Sequence, residues 1–506
     1  MERHHLVNKT KTLLIAPVAF LSVFFVVPVT NALVRFLRFS AFSDVLSNQS
    51  LRGVAWFSLW QAILSTLATL AIGLPVTWAL SRFTFCGSRI ARGVLTAPFV
   101  LPAVVVAAGV LAITDSRGVI PILWAHVVFN VSVILRIVGP RWSLVNRRLE
   151  HAAATLGARP SRTFTLVVWP QISDAIISAA TLVFVYCFTS FGVIAILGGI
   201  SRRTLESEIF TQAVRLGNTT TATALAVLQV IIIGTVLFFT RRSSRPNPTS
   251  LHVSAPQPLR TKPRHRITPL LISTTAVVIV VSPLLATIYR SLVVNNQFSL
   301  SAWRTIFSGS LPALSVSPQS VIITSLVFAI TAACMCVPLA LLVATTSAPR
   351  ALFSLPLAIS AATLGIGLII TFNRSPISWR SERWFIPVIH AVIALPLVIR
   401  ALEPAVKAIP ASLRNASATL GAPPFTTWRR VELPLLKTAL LRATGLSMAV
   451  SLGEFGATSF LSRSGSTTLP IAIAQLLGRP GAATQQAGFA LAALMVLVTI
   501  GVMSRA

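Results

Sequence analysis

The chain has 506 residues, of which 54% are hydrophobic and 10% charged, with a formal net charge of +31. So few charges exclude an ordinary soluble surface for a chain of this length and point to a protein that crosses a membrane many times. The 42 Lys and Arg sit in short loops between apolar runs, as topology determinants do, which excludes nucleic acid as a partner.

In chain order, apolar runs long enough to cross about 30 Å of hydrocarbon fall near 13–33, 54–80, 93–113, 119–139, 172–198 and 221–240. These are spans 1 to 6. Span 1 follows Arg3, Lys9 and Lys11 and is too long for a cleaved leader, so it is expected to remain as a helix. Residues 241–267 carry Arg241, Arg242, Arg245, Arg260, Lys262, Arg264 and Arg266 among Pro246, Pro248, Pro256, Pro258 and Pro263. Such a stretch neither spans nor packs a core and reads as a linker. Spans 7 to 12 follow near 268–291, 318–345, 351–372, 383–401, 436–460 and 483–503.

The expected fold is an all-α integral membrane protein of 12 transmembrane helices. Its parts are a first half (1–240), the linker (241–267) and a second half (268–506). With the N-terminus inside, the inner loops collect about 25 Lys and Arg and the outer loops about 14. That places both termini and the linker in the cytoplasm, although Arg35, Arg38, Arg374, Arg380 and Arg383 fall outside.

The halves repeat each other. Ala154-Thr155-Leu156-Gly157-Ala158 returns 264 residues on as Ala418-Thr419-Leu420-Gly421-Ala422. The same offset pairs His126 with His390, Arg136 with Arg400, Pro170 with Pro434, Phe191-Gly192 with Phe455-Gly456, and Thr204-Leu205 with Thr468-Leu469. Chance matches do not keep one register, so the unit is duplicated. Six spans return the chain to its starting side, which implies two homologous halves related by a pseudo-twofold axis along the membrane normal.

Both copies of the repeated phrase lie on the inner side, between the fourth and fifth spans of each half, at about 147–170 and 412–434. Each is Ala-rich and ends at Gly, the composition of a short helix with a left-handed stop. These loops resemble those of ABC importer permeases, the binding-protein-dependent kind, whose cytoplasmic loop carries a Glu-Ala-Ala, three-residue gap, Gly pattern. The resemblance implies that Glu150, His151, Ala152, Ala153, Leu156 and Gly157, with Asn415, Ala416, Leu420 and Gly421, form two coupling helices that dock on two copies of an ABC ATPase subunit. Where the family usually has Glu, this chain has His151 and Asn415, with Glu150 one residue early. The resemblance further implies an extracytoplasmic substrate-binding protein as partner and the bacterial cytoplasmic membrane as location.

Fused double permeases of this family import thiamine and ferric iron. The segments Cys187-Phe188-Thr189-Ser190-Phe191-Gly192 and Thr204-Leu205-Glu206 are most similar to the thiamine permeases. Ser451-Leu452-Gly453-Glu454-Phe455-Gly456 is shared more widely, iron permeases included. Thiamine is the favoured substrate and ferric iron the second.

Glu454 is the one acid read as lying well within a span, where an unpartnered carboxylate costs at least about 2.5 kcal/mol. Two readings stand: it lines the translocation path and helps a cation pass, or it makes a helix–helix hydrogen bond permitted by Gly453 and Gly456. Ser190, its counterpart, and Phe191 and Phe455 complete the candidate path or gate. His126 and His390 read as polar packing between spans. No phosphate-binding Gly-x4-Gly-Lys-[Ser/Thr] run occurs, so ATP hydrolysis belongs to separate subunits. No catalytic residue, metal site or cofactor is expected. The alternative class is an ion- or proton-coupled secondary transporter, which needs more intramembrane acids than this chain offers.

Overall fold

The structure, a computed structural model, describes residues 14–34, 45, 47–99, 101–199, 201–243, 259–260, 267–309, 311, 314–346, 348–357, 359–373, 378–379, 382–463 and 465–504. Most of the linker lies outside these residues, as do Arg3, Lys9, Lys11, Arg35, Arg38, Arg374 and Arg380. The described chain is helical apart from two short strand pairs, Phe83–Thr84 with Leu259–Arg260 and Val293–Val294 with Gln297–Phe298.

Ten helices are long and apolar enough to cross a membrane among the described residues, and twelve if each of two bent pairs counts as one span. The straight ones are Leu14–Val34, Gln49–Arg82, Val119–Ser143, Pro160–Phe188, Thr219–Thr240, Ile267–Leu292, Pro318–Ala344, Phe385–Lys407, Pro424–Gly453 and Ala482–Val502. Spans 3 and 9, expected as single runs at 93–113 and 351–372, are the bent pairs. Ser88–Phe99 and Ala103–Thr114 meet at 108°, and Arg350–Leu357 and Ala361–Phe372 meet at 97°. Pro98 and Pro102 flank the first bend and Pro356 precedes the second; proline removes the N–H and the steric room that a continuous helix needs.

Spans 5 and 11 also end earlier than expected. Their helices stop at Phe188 and Gly453, and short helices, Gly192–Leu197 and Gly456–Leu461, resume after a break. The runs 172–198 and 436–460 are therefore each a helix, a break and a second helix. Apolarity continued through the break and concealed it.

The chain packs as two compact units, and each borrows from both sequence halves. One comprises Met1–Ala41, Ile209–Thr223 and Ser291–Ala506; the other comprises Phe42–Glu208 and Ala224–Arg290. Span 1 thus packs with second-half helices: Leu21, Phe25 and Val29 are buried in one core with Phe328, Leu364 and Phe385. Span 7 packs with first-half helices. Trp124 Nε1 donates to the Ile279 carbonyl at 3.2 Å, and Arg290 pairs with Asp115 at 3.0 Å.

Close backbone approach marks both exchanges. A Cβ added at Gly109 would lie 2.3 Å from the Pro283 oxygen, and one at Gly367 would lie 2.5 Å from the Pro28 oxygen. Without a hydrophobic drive between helices in lipid, small residues that admit a neighbouring backbone supply the packing.

Candidate functional site

The first repeated loop opens with Asn146, whose side chain accepts from the Arg148 N–H at 3.0 Å and caps the helix Arg147–Thr155. The helix stops at Gly157, in the left-handed region at φ 77°. There the Ala158 N–H donates to Ala153 O at 3.0 Å and the Gly157 N–H to Ala154 O at 3.0 Å, the paired bonds of a Schellman ending. The second loop repeats this with the helix Ala411–Thr419, Gly421 at φ 75°, Ala422 N–H to Ser417 O and Gly421 N–H to Ala418 O.

The short helices Pro160–Thr163 and Pro424–Thr427 follow, then one π-helical turn each, Phe164–Val168 and Trp428–Glu432. All these boundaries differ by the same 264 residues. Rare π turns recur at functional sites, and here they join each loop to the span that continues from it.

Both stops push one leucine into the open. Leu156 is 88% exposed and Leu420 87%, the extremes among the exposed large apolar side chains. His151, Ala152, Asn415 and Ala416 are exposed beside them, and Ala153 is half-buried. Glu150 turns inward to form an ion pair with Arg82, the last residue of span 2. Arg147 donates to the Arg82 carbonyl at 3.2 Å. Burial and then the Arg82 charge lower the Arg147 pKa, and Glu150 opposes the shift.

The position of Glu150 is occupied in the second loop by Arg414, which pairs with Glu432 at 2.7 Å. Each loop is braced at the same point by an ion pair of reversed polarity. Glu150 is thus spent on bracing, while His151 holds the exposed position.

Glu454 does not sit within a helix. It lies in the break after Gly453, where its carboxylate accepts from Ala457 N–H at 2.8 Å, Thr458 N–H at 2.9 Å and the Thr458 hydroxyl. Those are the orphan donors that open the helix Gly456–Leu461. Because a carboxylate only accepts, the Thr458 hydroxyl donates to it and accepts from His390 Nε2–H at 2.8 Å. His390 Nδ1 then accepts from the Ser451 hydroxyl at 2.7 Å. In the first half His126 Nδ1 bonds Ser65 at 2.9 Å, and Ser190, the counterpart of Glu454, is half-buried in its own break. Phe191 is buried and Phe455 half-buried.

This geometry gives Glu454 a capping job. Glu454→Gln turns one acceptor into a donor facing backbone N–H groups, so it is expected to lower stability by about 1–2 kcal/mol. The apparent KM for substrate should stay within about twofold, because a lost cap does not alter binding. Thermal unfolding and uptake measured on one preparation check this; unchanged stability with a raised KM would make Glu454 a path residue instead.

Sequence reasoning missed two further buried acids. Glu206 and Glu208 are 0% and 4% exposed, held by Gln229 at 2.6 Å and Arg203 at 3.3 Å. They fall between spans 5 and 6, where a loop was expected. Two acids beside Arg203 within a segment that also holds Leu205 and Ile209 were the available signal.

Residues 70–246 match the family described as binding-protein-dependent transport system inner membrane component. The thiamine transport system permease protein of Salmonella typhimurium is 25% identical over 474 residues, covering 87% of this chain and 86% of that protein. Its Escherichia coli counterpart is 26% identical over 461 residues, covering 84% and 83%. A putative 2-aminoethylphosphonate transport system permease protein of Salmonella typhimurium is 33% identical over 153 residues, 30% of this chain and 57% of that one.

Proposed function

We infer that this chain, a non-catalytic inner-membrane permease component of a binding-protein-dependent transport system, provides the pathway of an ATP-driven thiamine importer. Its duplicated halves, 1–240 and 268–506 joined by the linker 241–267, each contribute one coupling helix, so one copy engages two ATPase subunits. The equal span number of the halves supports a twofold axis along the membrane normal and cytoplasmic termini. A binding protein delivers substrate at the opposite face. ATP-driven closure of the ATPases moves the coupling helices, and the π turns pass that movement to spans 5 and 11. The breaks at Ser190-Phe191 and Glu454-Phe455 serve as gate, the second held in shape by the Glu454 cap on the helix Gly456–Leu461.

The coupling role rests on Leu156 and Leu420, apolar side chains that the chain itself leaves in the open. The observation that carries the substrate is extent. The likeness to the thiamine permeases runs through both halves, over 84–87% of the chain. The aminoethylphosphonate permease aligns with 30%. Ferric iron keeps the second place given by the motif around Glu454.

Proteoliposomes holding the chain with its ATPase and binding protein test this. Labelled thiamine is expected to enter saturably, only with ATP, and without competition from excess ferric citrate. Uptake of ferric iron with no thiamine uptake would overturn the substrate, and uptake independent of ATP would overturn the class.

A further inference from the structure

Beside the first coupling helix lies a cavity of about 550 Å³. Its inner end is Leu74 and Ile176, on the faces of spans 2 and 5, and its outer end is Arg82, Glu150 and His151. Trp78, Phe164 and Trp169 wall it between. From Leu74 to Arg82 the helix rises about 12 Å. The cavity therefore runs from apolar depth to the polar end of a membrane-crossing helix, which is the profile of a lipid lying along its own bilayer.

The polar end carries surplus positive charge. Arg82 and Arg147 stand against the single carboxylate of Glu150. Arg82 Nη2 meets that carboxylate, while Arg82 Nη1 has no hydrogen-bond partner among the described residues. A buried guanidinium N–H without an acceptor favours an anionic oxygen.

The duplication supplies an internal control. When the mid-helix prolines Pro75 and Pro338 are aligned, Trp78 corresponds to Leu341 and Arg82 to Thr345. At the 264-residue offset Trp142, which also lines the cavity, corresponds to Val406, and Trp169 to Leu433. The second coupling helix keeps its Schellman ending and exposed leucine without the tryptophans or the arginine. What both loops do in common does not require those residues, so they serve something the first half does alone.

We propose that this cavity binds one anionic phospholipid, its phosphate on Arg82 Nη1 and its upper acyl segment against Trp78 and Trp169. Basic pockets between membrane helices hold anionic headgroups in this way, and tryptophan favours the depth where headgroup meets chain. A lipid here touches span 2, span 5 and the coupling helix together, so membrane composition would set how firmly the first loop is held. The site stands whether or not thiamine is the substrate.

The test uses the full-length chain, delipidated in mild detergent and offered phosphatidylglycerol, phosphatidylcholine or inorganic phosphate, with native mass spectrometry counting bound molecules. Wild type is expected to retain one phosphatidylglycerol in preference to phosphatidylcholine. Arg82→Thr should weaken retention about fivefold. Trp169→Leu, which leaves the Arg82–Glu150 pair intact and installs the second half's residue, should weaken it as well. Equal retention by wild type and both variants, or equal retention of phosphatidylcholine, would overturn the proposal. Displacement of the lipid by millimolar inorganic phosphate would overturn it too, making the site one for a free anion.

Discussion

A chain carrying Leu156→Asp and Leu420→Asp together is expected to fold normally, lose its hold on the ATPase and cease to transport. Both leucines stand in the open on short helices whose endings are satisfied by backbone bonds alone, so their side chains contribute little to the fold. Covering an exposed leucine is worth about 1.5–3 kcal/mol. An aspartate in its place forfeits that and adds the cost of burying a carboxylate, which brings the loss to roughly 4 kcal/mol, or about a thousandfold in affinity, per loop.

On the proposed function both loops of one chain engage the ATPases together, so losing one is expected to remove the gain from linkage as well. The double variant should keep the wild-type elution profile and melting temperature while co-purification of the ATPase and ATP-dependent uptake both vanish. Each single variant should retain part of the ATPase, because the other loop still engages. Uptake near the wild-type rate by the double variant would remove the coupling role from these loops.

The repeated phrase was legible because local chemistry wrote it. Alanine, an end at glycine and a following proline fix a helix, a left-handed stop and a new helix without help from distant residues. The same boundaries therefore recur at the 264-residue offset from Arg147 and Ala411 through to Leu197 and Leu461, except that the helix ending at Phe188 has a counterpart ending one residue later, at Gly453. Leu205 and Leu469 show the limit of that legibility. Each opens a helix by donating its N–H to a buried serine hydroxyl, at 2.8 and 2.7 Å. The acceptors are Ser58 and Ser325, which are 267 residues apart, so the interaction is kept while its sequence register is not.

Glu454 was misplaced for a related reason. Hydropathy averages over neighbours and reads an apolar run across a break, whereas the break is defined by which N–H groups lack a helical partner. Only the bonds from Ala457 and Thr458 reveal that the carboxylate completes a helix end. The π turns were hidden in the same way, since Phe164–Val168 and Trp428–Glu432 carry no composition that separates them from α-helix.

The exchange of first helices was the least legible feature, and it carries the largest expected stability effect. An apolar span states that it belongs in a membrane but not which neighbours it meets there. The information lies in Gly367 and Gly109, which look in sequence like any other glycine. Gly367→Ala would place a methyl 2.5 Å from the Pro28 oxygen and 2.7 Å from its carbonyl carbon. Backbone atoms cannot rotate away as a side chain can, so span 1 must move. The expected cost is about 3 kcal/mol, at the upper end for overpacking.

The helix Ala361–Phe372 has no room to yield in the other direction. Gly365 on its opposite face already meets the Phe460 ring, with an added Cβ at 2.6 Å. Gly109→Ala should behave alike against Pro283. Gly234→Ala is the control: it lies in a helix with nothing within 4 Å of its Cβ, and alanine there should be neutral or stabilise by up to about 1 kcal/mol. Thermal unfolding monitored in detergent, with protease sensitivity of the N-terminal segment, separates the cases. Melting of Gly367→Ala and Gly109→Ala at the temperature of Gly234→Ala would mean that these glycines do not hold the exchanged helices in place.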